Sequence, residues 1–297
     1  MLPIHDFLLT VIRARVNDAG WEWLVKARQH AAGGTVDELL AAYTGSGMRV
    51  GRAALSLRDD ERLRADELAP GLDLSLWTLA DAARAVLLIG RANRSDKDSF
   101  CDAAVACYEQ GDAAEQTSWL RALTLLPDPD RFTMVAIDAC RTSIQTLFEA
   151  VACENPFPAR WFPDANFNQL VLKSLFNTIS LARVVSLVSR LNDDLARMAD
   201  DYVTEREAAG RFVPADIWLV LAPRIGADRL GRVARYLEHD DPAHRYWAAV
   251  GLGLRPSADG RGLLERRRGI ETDTRTQQAI ADALARLDRL EKTEPRL

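Results

Sequence analysis

The chain has 297 residues, of which 48% are hydrophobic and 27% charged, so it is long enough to bury a full core in one large domain or two small ones. Its formal net charge of -5 at pH 7 argues against nucleic acid as a partner, because phosphate binding needs a basic face. The apolar runs fall far short of the roughly 20 residues that cross a bilayer, which excludes a membrane-spanning helix. Asp6 and two nearby arginines interrupt any secretory signal, so we expect a cytoplasmic protein that begins with an amphipathic helix.

Helix signals dominate the N-terminal third, whereas the period-two alternation and hairpin turns that mark strands are nearly absent. The segment Thr44-Gly-Ser-Gly47 is the best prediction for a flexible loop. The apolar spacing and the glycine-rich breaks predict helices over about 2–16, 20–31, 35–43, 59–68, 75–91 and 98–108.

Capping signals continue through the middle of the chain. Asp112 and Glu115 form a capping box for a helix that ends at the turn Pro127-Asp-Pro-Asp130. Pro214 opens a later helix, because proline suits the first helical turn. Further helices are predicted over about 131–151, from 164 onward and over about 181–209.

The pattern becomes regular towards the C-terminus, where two helix pairs follow each other. Asp241 and Gly251 recur, 32 positions later, as Asp273 and Ala283, a period typical of helix-pair repeats. We therefore predict an all-α fold of antiparallel helix pairs stacked as an irregular α-solenoid, HEAT-like towards the C-terminus. It would form one helical-repeat domain over 1–290, less regular in 1–111 and HEAT-like over 228–290, followed by a tail over 291–297.

A proline-rich segment precedes the helix that starts near Asp164 and is the most informative part of the chain. Pro156, Pro158 and Pro163 forbid a regular helix through all three, so the loop is stiff. The polar residues on the following helix are spaced three, four and four apart, which places them on one face. The predicted ligand- or partner-binding residues are Glu154, Asn155 and Arg160 on the loop and Asn166, Gln169, Lys173 and Asn177 on the helix.

Two interpretations of this surface remain open. It is either a row of amide and cationic donors for a ligand or a partner peptide, or a solvated helix face beside a structural loop. The two cations, Arg160 and Lys173, favour an acidic ligand group or an acidic partner peptide if it binds anything.

No pattern predicts a metal, a cofactor or catalysis. His239 and His244 flank a helix start, where Asp241 and Pro242 already act as cap and first turn. The chain has no glycine-rich phosphate loop, no nucleophile elbow and no two-histidine zinc helix. The cysteines form no close pairs and are Cys101, Cys107, Cys140 and Cys153.

Longer motifs occupy the middle of the chain. They are Trp119-Leu-Arg-Ala-Leu-Thr-Leu-Leu-Pro, Asp138-Ala-Cys-Arg-Thr, Phe148-Glu-Ala, Glu154-Asn-Pro-Phe-Pro-Ala, Asn168-Gln-Leu-Val-Leu-Lys-Ser-Leu-Phe, Leu195-Ala-Arg-Met-Ala-Asp-Asp-Tyr-Val-Thr-Glu-Arg and Pro214-Ala-Asp-Ile-Trp. Over about residues 112–255 the chain resembles the EboA-like family of metabolite traffic proteins. The resemblance implies a non-enzymatic helical protein encoded with a membrane prenyltransferase-like protein and several cytosolic enzyme-like proteins. That set is linked to moving a metabolite, or its precursor, across the inner membrane.

Two functions are consistent with these observations. The first is a scaffold or adaptor that binds proteins of the export system, among them the prenyltransferase-like partner. The second is a small-molecule carrier, or an unrecognised enzyme, that acts on the trafficked metabolite. An adaptor needs a broad, shallow face, whereas a carrier needs an enclosed and mostly apolar pocket with a few polar groups.

Overall fold

A computed structural model describes residues 3–224, 226, 230–255 and 257–293. Within this part of the chain there are seventeen α-helices and no strand, and the one extended pairing is an isolated bridge between Ala54 and Thr78. The predicted all-α class is therefore confirmed. The contacts divide the chain into two compact units, Met1–Phe167 with Arg183–Ser186, and Asn168–Ala182 with Leu187–Leu297.

The first unit contains ten helices and the start of an eleventh, with short 3-10 turns at Leu123–Leu125 and Pro129–Phe132. Helix α11 (Asp164–Phe176) includes residues of both units. The ten are α1 (Pro3–Arg13), α2 (Asp18–Gly33), α3 (Val36–Arg49), α4 (Asp59–Leu68), α5 (Leu79–Ala92), α6 (Lys97–Glu109), α7 (Ala113–Ala122), α8 (Thr133–Ala139), α9 (Gln145–Ala152) and α10 (Phe157–Trp161).

Helix α5 is the centre of the first unit, since every residue from Leu79 to Ile89 is buried and the helix packs against α1, α2, α3 and α7. A helix that is apolar nearly all round is stable only when enclosed in this way. It also buries two charges, which therefore need partners. Asp81 accepts a hydrogen bond from the Ser118 hydroxyl at 2.5 Å, and the Arg84 guanidinium donates to the Tyr43 carbonyl at 3.1 Å.

Two predictions for the first unit are wrong. The expected loop Thr44–Gly47 is helical, because α3 continues to Arg49 and the glycines allow neighbours to approach: a Cβ on Gly45 would lie 3.1 Å from the Trp23 ring. The single helix expected over 131–151 is instead α8 and α9. They are separated by a turn in which the Ile144 N–H is satisfied by the Thr142 hydroxyl.

The second unit contains the remaining helices. The expected helix over 181–209 begins only at residue 193, because the Asn192 side chain caps it by accepting from the Leu195 N–H at 2.8 Å. Residues before it form the 3-10 turns Leu181–Arg183, whose last residue belongs to the first unit, and Leu187–Arg190, and a third 3-10 turn lies at Ala215–Ile217. The helices are α12 (Asp193–Ala208), α13 (Trp218–Leu221), α14 (Leu230–Leu237), α15 (Pro242–Leu252), α16 (Ala258–Arg268) and α17 (Thr274–Thr293).

The repeated residues near the C-terminus have the predicted local roles. The Asp241 carboxylate accepts from the Ala243 N–H at the start of α15, and that of Asp273 accepts from the Thr276 N–H at the start of α17, both at 2.8 Å. Gly251 lets α15 approach the preceding segment, since an added Cβ would lie 2.3 Å from the Trp218 carbonyl oxygen. Helix α15 packs on α14 and α17, and α16 packs on α17. The stacked solenoid and the single-domain division stay predictions.

Among the described residues, none of the helices combines the length and the apolar character needed to cross a membrane.

Candidate functional site

A cleft in the first unit contains two of the predicted site residues. The space within it is about 80 Å³, and it is partly open to solvent. The walls come from α7, from α9 and the turn after it, from the segment before α5, and from the turn that contains Arg183. The lining residues are Leu72, Asp73, Leu76, Trp77, Arg121, Thr146, Glu149, Ala150, Cys153, Glu154, Asn155 and Arg183.

Arg183 is the central charge of the cleft and binds two carboxylates. Its Nε and Nη2 lie 2.8 and 2.9 Å from the two oxygens of Glu154, and its Nη1 lies 2.6 Å from Oε2 of Glu149. The backbone reinforces the pair, because the Glu154 N–H donates to the Arg183 carbonyl at 2.9 Å. Bidentate pairing of this kind fixes the orientation of the side chains as well as pairing their charges, so the three side chains form a rigid unit.

Glu154 adopts a left-handed backbone conformation, with φ of 52°, at the turn that follows α9. Its carbonyl accepts from the Asp73 N–H at 3.0 Å, which attaches this turn to the segment before α5. A non-glycine residue in this region is uncommon and persists where surrounding contacts hold it. Here those contacts are the two backbone hydrogen bonds and the ion pair with Arg183.

Asn155 forms the inner wall of the cleft and is 2% exposed. Its Nδ2 donates to the carbonyls of Leu120 and Ala150 at 2.9 and 3.2 Å, and its Oδ1 accepts from the Phe157 N–H at 3.0 Å. The side chain thereby joins the end of α7, α9 and the start of α10. All three bonds are internal, so the residue stabilises the turn.

Arg121 supplies the second cation of the cleft. Its Nη1 lies 2.8 Å from Oδ2 of Asp81, whose other oxygen accepts from Ser118. Burial tends to raise the pKa of Glu149, but hydrogen bonds from Arg183 and Gln145 and the nearby charge of Arg121 outweigh it, so this pKa lies below its usual value.

The thiol of Cys153 belongs to the same wall and is deactivated. Burial raises its pKa to about 12, and the positive charge of Arg183 only partly opposes this effect. A thiol with such a pKa is protonated at neutral pH and is a poor nucleophile. Together with the ionised, hydrogen-bonded Glu149, the cleft presents paired charges rather than a tuned acid, base or nucleophile.

The other predicted site residues lie outside this cleft's lining. Arg160 is exposed in the first unit, where its Nη2 donates to the Pro70 carbonyl at 2.7 Å. Asn166 is half-buried in the first turn of α11. Gln169, exposed, and Lys173 and Asn177, half-buried, belong to the second unit. The structure thus brings Glu154 and Asn155 together in one cleft, and a binding role for all seven residues stays a prediction.

One detail of the proline-rich segment differs from expectation. Pro158 lies in the first turn of the short helix α10, where a proline needs no N–H partner, so the segment is partly helical. At the end of α11, Phe176 is 70% exposed whereas Leu175 is fully buried. Two polar residues of α11, Asn168 and Ser174, are buried. Asn168 exchanges amide hydrogen bonds with Asn192 at 3.1 and 3.0 Å.

The two histidines near Asp241 lie in an aromatic cluster of the second unit. The Trp218 Nε1–H donates to Nδ1 of buried His244 at 3.0 Å, and the His239 ring stacks on Tyr236. In the described part of the chain, no three His, Cys, Asp or Glu side chains form a group that could hold a metal.

Sequence reasoning missed most of the cleft, namely Asp73, Leu76, Arg121, Glu149 and Arg183. Arg183 pairs with carboxylates 29 and 34 positions away, so no local spacing marks the set. The left-handed turn at Glu154 likewise gives no sequence signal, since glutamate is not typical of that conformation.

Comparison with known families gives one match. The family model described as "Metabolite traffic protein EboA" matches residues 4–222. This match extends from α1 to the end of α13, so it includes the N-terminal third, where no motif was recognisable, and stops before the helix pairs that were predicted to be HEAT-like. No curated protein and no solved structure gave a significant match. The chain belongs to the EboA family of metabolite traffic proteins.

Proposed function

We propose that this protein supports metabolite traffic as a non-enzymatic, cytoplasmic adaptor. It binds a membrane prenyltransferase-like protein of an export system and assists passage of a metabolite precursor across the inner membrane. The observation that carries the proposal is the rim of the Arg183 cleft. There the apolar side chain of Leu76 is 50% exposed beside a rigid, fully paired set of charges.

The paired charges support binding rather than catalysis. Arg183 and both its carboxylates already satisfy each other, and the Cys153 thiol is protonated, so no lining group is activated. A rigid surface loses little conformational entropy when a partner binds. Such a surface suits protein recognition.

The rim supplies apolar contact area for a partner. Besides Leu76, an apolar side chain is exposed at the start of α9, where Ile144 does not line the cleft but is 46% exposed and precedes the lining residue Thr146 by two positions. Apolar side chains surrounded by charged groups are the usual arrangement of a transient interface, with a desolvated centre and a polar rim.

The direct test places a charge on the rim. Leu76→Glu should reduce metabolite export and co-purification of the prenyltransferase-like protein by about tenfold, because a carboxylate buried without a partner in the contact opposes binding. Met134→Glu is the matched control, because Met134 is also in the first unit, is 73% exposed and does not line the cleft. Both variants should retain the wild-type melting temperature. Normal export and normal partner retention by Leu76→Glu would contradict the proposal.

A small-molecule carrier is the second candidate, because apolar side chains such as Leu72 and Trp77 line the cleft together with polar groups that can orient a ligand. Against it, the space in the cleft is only about 80 Å³, whereas ligand pockets span about 300–1,000 Å³, and the lining is charged and partly open rather than enclosed and apolar. Native mass spectrometry of the purified protein separates the two functions. A stoichiometric small molecule that is lost in Arg183→Met would favour the carrier.

A further inference from the structure

A groove lies between α15 and α17 in the second unit, beyond the residues matched by the family model. The space within it is about 340 Å³, and it is partly open to solvent. Its floor is small and apolar, with Val250 on α15, Gly253 directly after α15, and Ala279 and Ala283 on α17. Because these side chains are small, they leave the groove open, and a structural element of another molecule can enter it.

The two helices meet at Gly253 and Ala283. A Cβ added to Gly253 would lie 2.5 Å from the Cβ of Ala283, so any larger residue at this position would separate the helices. This contact forms the bottom of the groove, and the exposed side chains of α17 form one wall above it.

Two arginines of α17 mark the ends of that wall. The Arg275 guanidinium lies 4.1 Å from the centre of the Tyr246 ring, which orients it, and Arg286 lies further along the same helix. Both are exposed, and neither has a carboxylate within ion-pair distance among the residues that the structure describes. By contrast, Arg245 in the same unit is paired with Glu271.

One negative charge lies between these cations. Asp282 also lines the groove, and its Oδ1 accepts from the Gln278 amide at 2.9 Å. The charge pattern along α17 is therefore positive, negative, positive. Arg275 and Arg286 are eleven positions apart, which corresponds to about 16 Å, or three turns of an α-helix.

We propose that this groove binds an acidic amphipathic helix of a partner protein. Two acidic residues of that helix, about eleven positions apart, pair with Arg275 and Arg286, and a basic or amide side chain between them faces Asp282. Small apolar residues on the same face pack over Gly253 and Ala283. The inference goes beyond the proposed adaptor function, because it concerns a second surface and a specific partner chemistry.

The test uses the full-length protein and a synthetic probe. The probe is a fluorescein-labelled, alanine- and leucine-rich helical peptide with two glutamates eleven positions apart and a lysine midway. Fluorescence anisotropy should show binding that weakens as salt is raised. The double variant Arg275→Gln/Arg286→Gln should weaken it about tenfold or more, as should replacing both peptide glutamates by glutamine.

A matched control has the same change in net charge. Arg266 and Arg268 are exposed in the last turn of α16 and do not line the groove, so Arg266→Gln/Arg268→Gln should change the affinity by less than about twofold. Circular dichroism checks that both double variants remain folded. Equal binding by the two double variants, or no binding by the wild-type protein, would overturn the proposal.

Two further outcomes are decisive. A wild-type dimer in sedimentation velocity that is lost in Arg275→Gln/Arg286→Gln would identify a second copy of the chain as the occupant and overturn the proposed partner. Leu76→Glu should bind the peptide like the wild type. Failure of peptide binding together with lost export in Leu76→Glu would overturn the groove proposal alone.

Discussion

Asn155→Ala should strongly destabilise the protein, because it removes three internal hydrogen bonds at once. The Asn155 side chain donates to the Leu120 and Ala150 carbonyls and accepts from the Phe157 N–H, all in a buried environment. Three bonds at about 1 kcal/mol each, with a further penalty of about 1–2 kcal/mol for the buried N–H left unpaired, give a loss of about 4–5 kcal/mol.

Urea unfolding followed by circular dichroism measures this loss as a lower midpoint at an unchanged slope. Gln169→Ala is the control, because Gln169 is exposed on α11 and its truncation should change stability by less than about 0.5 kcal/mol. If Asn155→Ala unfolds at the same urea concentration as this control, the assigned bonds do not stabilise the turn.

Asn155→Asp separates lost hydrogen bonds from lost volume. The aspartate has nearly the same size and keeps the oxygen that accepts from Phe157, but it sets a carboxylate oxygen against the Leu120 and Ala150 carbonyls. A destabilisation of at least about 2 kcal/mol is expected at pH 7. Wild-type stability of this variant would refute the hydrogen-bond explanation.

Three further predictions concern the second unit. Burial, with the neighbouring His239 charge, lowers the pKa of His244 to about 4 from its usual 6.5. As pH falls, His244 therefore becomes protonated in the unfolded chain before it does in the folded chain, so its contribution should lower the free energy of unfolding between about pH 6.5 and 4. An NMR titration of His244 in the folded protein with a midpoint near 6.5 would contradict this. Arg245→Gln should cost about 2–3 kcal/mol in thermal unfolding, because the buried Glu271 side chain loses two charge-assisted hydrogen bonds but keeps its ion pair with Arg267; no change in melting temperature would argue against it. Gly251→Ala should destabilise through its clash with a carbonyl oxygen, whereas Gly90→Ala in α5, with nothing within 4 Å, should be neutral or add up to about 1 kcal/mol; equal melting temperatures would count against the close approach.

The features that sequence reasoning recovered are those set by a few neighbouring residues. The capping box of Asp112 and Glu115 forms as predicted, because both partners lie within one helical turn. The same holds for Asp273 at the start of α17. A capping hydrogen bond forms between residues within one helical turn, and its only alternatives are bonds to water or to nearby backbone. A pattern of four residues is therefore enough to identify it.

The features that sequence reasoning missed depend on packing between residues that are far apart in the sequence. The glycines at 45 and 47 indicate a loop by local propensity, yet close contacts with Trp23 and Arg84 favour helix there. The cleft depends on Arg183 meeting carboxylates from separate elements. A tertiary ion pair leaves no periodic signal in the sequence, so its residues cannot be distinguished from surface charges.

The central claim is that the protein supports metabolite export while it is bound to a partner protein, and co-purification tests this claim most directly. Tagged wild-type protein, Leu76→Glu and Met134→Glu would be isolated from membranes under mild detergent, with mass spectrometry of both the proteins and the small molecules retained. The adaptor account predicts that the prenyltransferase-like protein is retained by the wild type and by Met134→Glu and is lost from Leu76→Glu. A stoichiometric small molecule retained by all three, with no partner protein on any of them, would contradict it.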